Sequence, residues 1–125
     1  MNQATNELDP RPVVRRDGDR FLVAGMRCTT CRFPTTERLV RCPICQGSTE
    51  PATFGPRGTV FSATVLRVPV PGRTPPYGLA YVDLDDGPRI LAHVRGPHDT
   101  ALAPNDRVKL SGTSDEGDPD VERVA

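Results

Sequence analysis

Lysine is almost absent from this chain, and so is any surplus of charge. Lys109 is the one lysine among 16 basic residues, and 16 acidic residues bring the formal net charge to zero. A neutral chain has no electrostatic footprint for generic nucleic-acid or membrane-surface binding. The arginine bias reads first as genomic base composition and second as carboxylate or phosphate recognition. No run approaches the roughly 18 consecutive apolar residues of a membrane span. The opening, Met1-Asn-Gln-Ala-Thr-Asn-Glu7, lacks the charged start and apolar core of a signal peptide. A soluble, cytoplasmic protein is therefore expected, in a compartment where thiolates stay available to metal. A nucleophile–base pair is missing too. The two histidines, His93 and His98, have no Ser or Cys partner at a recognisable spacing, and both read as ordinary surface or interface residues.

What the chain does contain is four cysteines in two pairs, Cys28-Thr-Thr-Cys31 and Cys42-Pro-Ile-Cys45, with ten residues between them. Two such turns can bring four thiolates to one tetrahedral metal, and zinc is the usual occupant of an all-sulfur site. A catalytic zinc keeps a position open for water or substrate, so a set filled by four cysteines points to a structural clip. Iron in a rubredoxin-like electron carrier uses the same ligands and stays open, as do a redox-active pair and disulfides. A bound divalent cation leaves the four thiolates with a formal charge of about −2, which Arg27, Arg32, Arg38 and Arg41 can offset if they are not simply solvated. Gly47 is expected to use positive φ in the second metal turn, and Arg32 to occupy a strained turn position that glycine fills more easily.

A chain of 125 residues holds one ordinary domain or a small metal-stapled module attached to a compact barrel. Its 14 Pro and 11 Gly lie between apolar runs, which favours short strands and turns over long helices. The expected organisation is a flexible N-terminal arm (1–20), a rubredoxin-like four-cysteine zinc ribbon (21–53) and a five-stranded OB-fold barrel (54–125). In the ribbon, Phe21 to Ala24 reads as a strand, and the stretch from Arg32 to Arg41, with Phe33, Leu39 and Val40, as a hairpin. In the barrel, residues 59–68 form a long first strand. Phe61, Ala63 and Val65 share one face there, and the apolar phase then changes at Leu66, which implies a bulge or bend. Pro69 to Pro76 reads as a stiff, extended loop. Tyr77 to Leu84 and Arg89 to Val94 alternate about the hairpin signal Asp85-Asp-Gly87, with Ala80, Val82, Leu84, Ile90, Ala92 and Val94 inward. Arg107 to Leu110 and a short Val121 to Val124 complete five strands. An SH3-like barrel fits this periodicity nearly as well.

In order and spacing, Arg27-Cys28-Thr-Thr-Cys31, Arg41-Cys-Pro-Ile-Cys45-Gln-Gly47, Arg57-Gly-Thr-Val-Phe-Ser-Ala-Thr-Val65, Pro76-Tyr-Gly-Leu-Ala-Tyr-Val-Asp-Leu84 and Asp86-Gly-Pro-Arg-Ile-Leu91 resemble one family. It is the zinc-ribbon, OB-fold, acyl-CoA-associated proteins formerly called domain of unknown function 35, and the resemblance runs from about Phe21 to Leu110. It implies a small non-catalytic subunit that pairs with a thiolase-fold enzyme in acyl-CoA metabolism. The partner would supply the nucleophile for Claisen, retro-aldol or acyl-transfer chemistry. Arg32, where glycine is common, departs from the pattern, as do the lack of a helix before the ribbon and a degenerate fifth strand.

Taken together, Cys28, Cys31, Cys42 and Cys45 are the expected ligands of a structural zinc. The loop from Pro69 to Tyr77 and the outward face of the second and third barrel strands are the expected contact for the partner or for acyl-CoA. That surface carries Arg73, Tyr77, Leu79, Tyr81, Leu91 and His93, and plain solubilising surface is its alternative. A rival function comes from the OB fold itself, which can bind single-stranded nucleic acid on the same strands through Tyr81, Arg89, His93 and Arg95. Three nearby aspartates and the lack of net positive charge count against it.

Overall fold

Asp17 and Arg20 face each other across the tight turn Gly18-Asp19 and join the first two strands, β1 (Val13–Asp17) and β2 (Arg20–Cys28), into a hairpin. Gly18 has a φ of +64°, which suits the first central position of a two-residue hairpin turn. The structure, a computed structural model, describes residues 10–96 and 100–124. The expected arm of 1–20 is therefore shorter than its composition implied, because residues 13–20 are paired; residues 1–9 lie outside the described residues, as does His98. The missed signal was Gly18-Asp19, a hairpin dipeptide in a stretch whose polar side chains hid the strand.

β2 is the spine of the first sheet. Its first half pairs with β1, its second half with β4 (Thr49–Phe54), and Met26 and Arg27 pair with the two-residue β3 (Pro34–Thr35). The hairpin expected over residues 32–41 does not form. Phe33 and Val40 are exposed and the stretch is mostly irregular, so the ribbon's main partner strand comes after the second cysteine pair.

Five strands close the barrel: β5 (Arg57–Leu66), β6 (Tyr77–Leu84), β7 (Arg89–Val94), β8 (Arg107–Thr113) and β9 (Pro119–Arg123), in the order β5-β6-β7-β9-β8. β5 pairs with both β6 and β8, and β9 lies parallel to β7 and antiparallel to β8. This is the five-stranded Greek-key barrel of an OB fold, with a long first strand serving both sides. β8 runs to Thr113 and β9 begins at Pro119, so the strands expected over 107–110 and 121–124 reach towards each other and leave only a turn between them.

The bulge in β5 lies at Phe61, where the register shifts between Val60 and Ser62, and not at Leu66 where the apolar phase change placed it; pairing with β6 is regular from Ser62 to Leu66. The shift puts Val60 in the core and turns Phe61 outward, 52% exposed, beneath the Arg89 guanidinium at 3.5 Å. On β6 and β7 the alternation holds: Ala80, Val82, Leu84, Ile90 and Ala92 are buried. They share one cluster with Val108, Leu110 and Val121, and Val23 and Phe54 from the first sheet belong to it as well. A small metal ribbon that cannot fill a core of its own thus lends two side chains to that of the barrel. The connection 69–76 is less extended than expected, since Val70 and Arg73 bridge around a tight turn.

Candidate metal centre and an adjoining cavity

Backbone hydrogen bonds fold the two cysteine turns. The Cys28 N–H donates to the Phe33 carbonyl, and the Cys42 N–H to the Gly47 carbonyl. Further amides point at sulfur: Thr30 and Cys31 donate to Cys28 Sγ at 3.3 Å each, and Ile44 donates to Cys42 Sγ at 3.3 Å. Cys28 and Cys42 are buried at the base of the site, and Cys31 and Cys45 are exposed at its rim. The four sulfurs lie within 4.8 Å of one another, with Cys28 and Cys45 at 3.4 Å and Cys31 and Cys42 at 3.6 Å. A metal–sulfur distance of about 2.3 Å in a tetrahedron needs sulfurs about 3.8 Å apart, so this donor set fits a single ion. All four cysteines are free thiols, and separations of 3.4 and 3.6 Å are far beyond a disulfide bond.

Crowding makes these thiols titrate unevenly. The amide of Cys31 first, then that of Thr30 and the thiols of Cys45 and Cys31, hold the Cys28 thiol down at about 6 against the cost of burial. The Phe33 amide favours a Cys31 thiolate. Burial and the sulfurs of Cys45, Cys42 and Cys28 nonetheless push that thiol up to about 12. A second thiolate beside the first is costly, and a bound cation removes that cost.

The positive φ expected at Gly47 belongs to its neighbour, Gln46, at +66°. Gly47 is required by contact instead: a Cβ there would lie 3.2 Å from both Cys28 Sγ and Cys45 Sγ and 3.0 Å from the Thr30 hydroxyl. Arg32 does adopt the left-handed conformation expected of it, at +69°. Of the arginines beside the ligands, Arg32 pairs with Glu50 and Arg27 with Asp86, so the amides face the sulfurs while these two cations meet carboxylates.

A cavity of about 510 Å³ opens on the barrel beside the second and third strands. Five of the six residues expected to form a contact surface line it: Arg73, Tyr77, Leu79, Leu91 and His93. Tyr81 lies outside, 48% exposed, directly opposite Leu91 across the β6–β7 ladder. His93 is not a surface histidine. Its side chain is only 15% exposed, Nε2 lies 3.2 Å from Asp118 Oδ2, and its ring stands 6.1 Å from that of Tyr77.

Asp118 organises the rim. Arg11 Nη1 lies 3.3 Å from its Oδ1, and Arg73 Nη2 lies 3.8 Å from its Oδ2 and 3.2 Å from Glu116 Oε1. Arg11 also donates to the Glu116 carbonyl. Sequence reasoning missed Arg11, Glu116 and Asp118. Residue 118 comes near residue 93 only because β9 runs parallel to β7, with His93 opposite Asp120.

Comparison with known proteins agrees with this architecture. The family model described as ChsH2, C-terminal OB-fold domain, matches residues 52–113. The chain is 48% identical, over 78% of its length, to the 3-oxo-4,17-pregnadiene-20-carboxyl-CoA hydratase alpha subunit of Mycobacterium tuberculosis (strain ATCC 25618 / H37Rv), and covers 35% of that protein. It is 31% identical, over 64% of its length, to benzoylsuccinyl-CoA thiolase subunit BbsA of Thauera aromatica, and covers 56% of it. The chain thus spans about a third and about half of these two curated relatives. Its fold is similar to that of the solved Ltp2-ChsH2(DUF35) aldolase, with a TM-score of 0.69 and 22% identity, covering 83% of this chain and 86% of the other. With a four-cysteine ribbon leading into an OB barrel of this type, the chain belongs to the acyl-CoA-associated family formerly called domain of unknown function 35.

Proposed function

We propose that this chain is a non-catalytic accessory subunit that associates with a thiolase-like enzyme acting on acyl-CoA substrates, and that its four cysteines hold a structural zinc. The observation that carries the reading is the outward face of β6 and β7. Tyr81 and Leu91, 48% and 44% exposed, stand opposite each other there, and Phe61 on β5 is 52% exposed. Exposed aromatic residues beside arginine are the usual anchors of a protein interface. Two relatives are named as subunits of enzymes of CoA thioesters, which supports the same kind of partner.

The chain's own residues divide this work. Cys28, Cys31, Cys42 and Cys45 would bind zinc, which would supply a closed structural clip and no reacting position. Tyr81 and Leu91 would bury against the partner. The partner would contribute the nucleophile and base of the Claisen, retro-aldol or acyl-transfer step, and the wall carrying Leu79 and Leu91 would border the acyl channel.

Co-expression with a thiolase-like protein from the same organism tests the reading. A stable complex burying more than about 1,000 Å² is expected, together with no turnover of CoA thioesters by the isolated chain. Tyr81→Ala combined with Leu91→Asp should weaken the complex and leave metal content unchanged, because the pair removes an anchor and buries a charge. Full activity of the partner alone, with no co-purification at micromolar concentration, would falsify the role.

A further inference from the structure

The four cysteines are not equivalent. Cys28 and Cys42 are buried at the base of the centre, and Cys31 and Cys45 are exposed at its rim. Amides add a second difference: Thr30 and Cys31 donate to Cys28 Sγ, Ile44 donates to Cys42 Sγ, and the Phe33 amide serves Cys31. Among the described residues no amide hydrogen-bonds Cys45 Sγ, whose neighbour is Cys28 Sγ, 3.4 Å away on the other metal turn. We propose that Cys45 is a modification site for hydrogen peroxide: its sulfur is oxidised first, Cys28 closes a disulfide with it across the two turns, and the chain gives up its metal.

Three observations favour Cys45 over its neighbours. The thiolate, not the thiol, is the nucleophile, and cysteines that hold a divalent cation are deprotonated. A loaded centre therefore presents a thiolate at the rim, without the burial that shields Cys28 and Cys42. An amide hydrogen bond draws electron density from sulfur and lowers its nucleophilicity, so the rim sulfur that lacks one reacts ahead of Cys31, which has the Phe33 amide. Access runs the same way. Pro43, Ile44 and Gln46 around Cys45 are all exposed, Ile44 at 66%, so no packed side chain has to move before an oxidant arrives.

The chemistry balances in two steps. The Cys45 thiolate attacks one oxygen of hydrogen peroxide; an S–O bond forms, the O–O bond breaks, and hydroxide leaves and takes a proton to become water. The Cys28 thiolate then attacks the Cys45 sulfur; an S–S bond forms, the S–O bond breaks, and a second hydroxide leaves as water. Two thiolates lose two electrons, and the peroxide is reduced to two waters. Only Cys31 and Cys42 then remain as thiolates, too few for a tetrahedral all-sulfur site. Arg27 directly precedes Cys28 and donates to the Asp86 carbonyl, so movement of Cys28 towards Cys45 also reaches the tip of the β6–β7 hairpin. The release of metal rests on the structural-zinc reading; the pairing of Cys28 with Cys45 does not.

The experiment treats the full metal-loaded chain with hydrogen peroxide. Metal release is followed with a chromophoric chelator, the first sulfur to be oxidised is trapped with dimedone at short times, and the disulfide is located by fragmentation mass spectrometry. Dimedone is expected on Cys45 ahead of the other three cysteines, followed by a Cys28–Cys45 disulfide and loss of the bound metal in step with it. Dithiothreitol and then zinc should restore the loaded chain. The parent chain carries the test, because Cys45→Ser deletes a ligand and loses metal for that reason alone. First attack at any other cysteine, even labelling of all four, a disulfide within either Cys-x-x-Cys pair, or metal retained by the oxidised chain would overturn the proposal. A chain that purifies without metal and still forms the Cys28–Cys45 disulfide would sink the zinc reading alone.

Discussion

The guanidinium of Arg27 donates to the backbone carbonyl of Asp86, joining the residue before the first metal ligand to the tip of the β6–β7 hairpin. The same side chain donates to the Arg32 carbonyl at 2.8 Å, lies 3.5 Å from the Asp86 carboxylate, and sits over the Phe54 ring at 5.2 Å. It is only 11% exposed. One arginine thus links the metal turn, the core and the barrel, and couples the geometry of the metal site to the sheet that carries Tyr81 and Leu91.

Arg27→Ala should therefore destabilise the whole chain, by about 2 kcal/mol, through lost charge-assisted hydrogen bonds and lost contact with Phe54. Arg27→Lys should recover only part of this, since one ammonium cannot reproduce a fork that reaches two carbonyls. Thermal unfolding at fixed metal loading measures both. Metal stoichiometry should remain one per chain, because Arg27 touches no sulfur; an alanine variant as stable as the parent would contradict the linkage.

Gly47→Ala should loosen the metal without removing a ligand. Its Cβ would press on Cys28 Sγ and Cys45 Sγ at 3.2 Å, contacts that the cysteine turns must shift to relieve. Disturbing the immediate surroundings of a metal site typically costs about 10–100-fold in affinity. Competition with a chromophoric chelator reads that loss, and Cys42→Ser, which deletes a ligand, sets the scale for a larger one. An alanine variant that keeps its metal as tightly as the parent would show that the turns adjust freely.

How much of this was legible in the sequence depended on the range of the signal. The four-cysteine cluster and the β6–β7 hairpin are written locally, in Cys-x-x-Cys spacing and in Asp85-Asp86-Gly87, so both could be read directly. Phe61 shows the limit. Its position in the apolar alternation was clear, but a bulge at that very residue sends it outward and puts Val60 inside. The pairing of β2 with β4 and the meeting of His93 with Asp118 depend on strands far apart in the chain. Neither carries a pattern that marks its partner, so the rim of the cavity could not be read from residue types alone. Gly18-Asp19 was a local signal that the surrounding polar residues obscured.

Asp85 gives the barrel a weak acid sensitivity. The Arg107 guanidinium hydrogen-bonds both oxygens of Asp85, at 2.8 and 2.6 Å, and this holds the carboxyl below its usual range. A depressed folded-state value means that the stabilisation is present above the unfolded value near 3.9 and is lost as the pH falls through the lower, folded value. The pair is half exposed, with Asp85 at 51%, so its worth is small, about 0.5 kcal/mol after screening. Asp85→Asn should lower stability at neutral pH by that order and converge with the parent in strong acid. Urea denaturation across pH reads the difference; a gap that widens as the pH falls would refute the assignment.

Single-stranded nucleic acid should not bind with useful affinity, although an OB barrel offers the strands for it. Base stacking needs aromatic platforms and phosphate binding needs free cations, and this surface is short of both. Tyr81 and Phe61 are its exposed aromatics, and the Phe61 face is already covered by Arg89. Arg89 in turn holds Asp83 with 2.6 and 3.2 Å contacts, Arg95 lies 3.3 Å from Asp120, and Arg107 is held by Asp85. Each phosphate contact would first have to break one of these pairs, and the net charge of zero supplies no long-range attraction in return. Fluorescence anisotropy with a labelled oligonucleotide should therefore show at most weak binding that disappears near physiological salt, since the electrostatic part of such binding falls steeply with ionic strength. Submicromolar affinity at that salt, abolished by Tyr81→Ala, would make this face a nucleic-acid platform and overturn its assignment as an enzyme-docking surface.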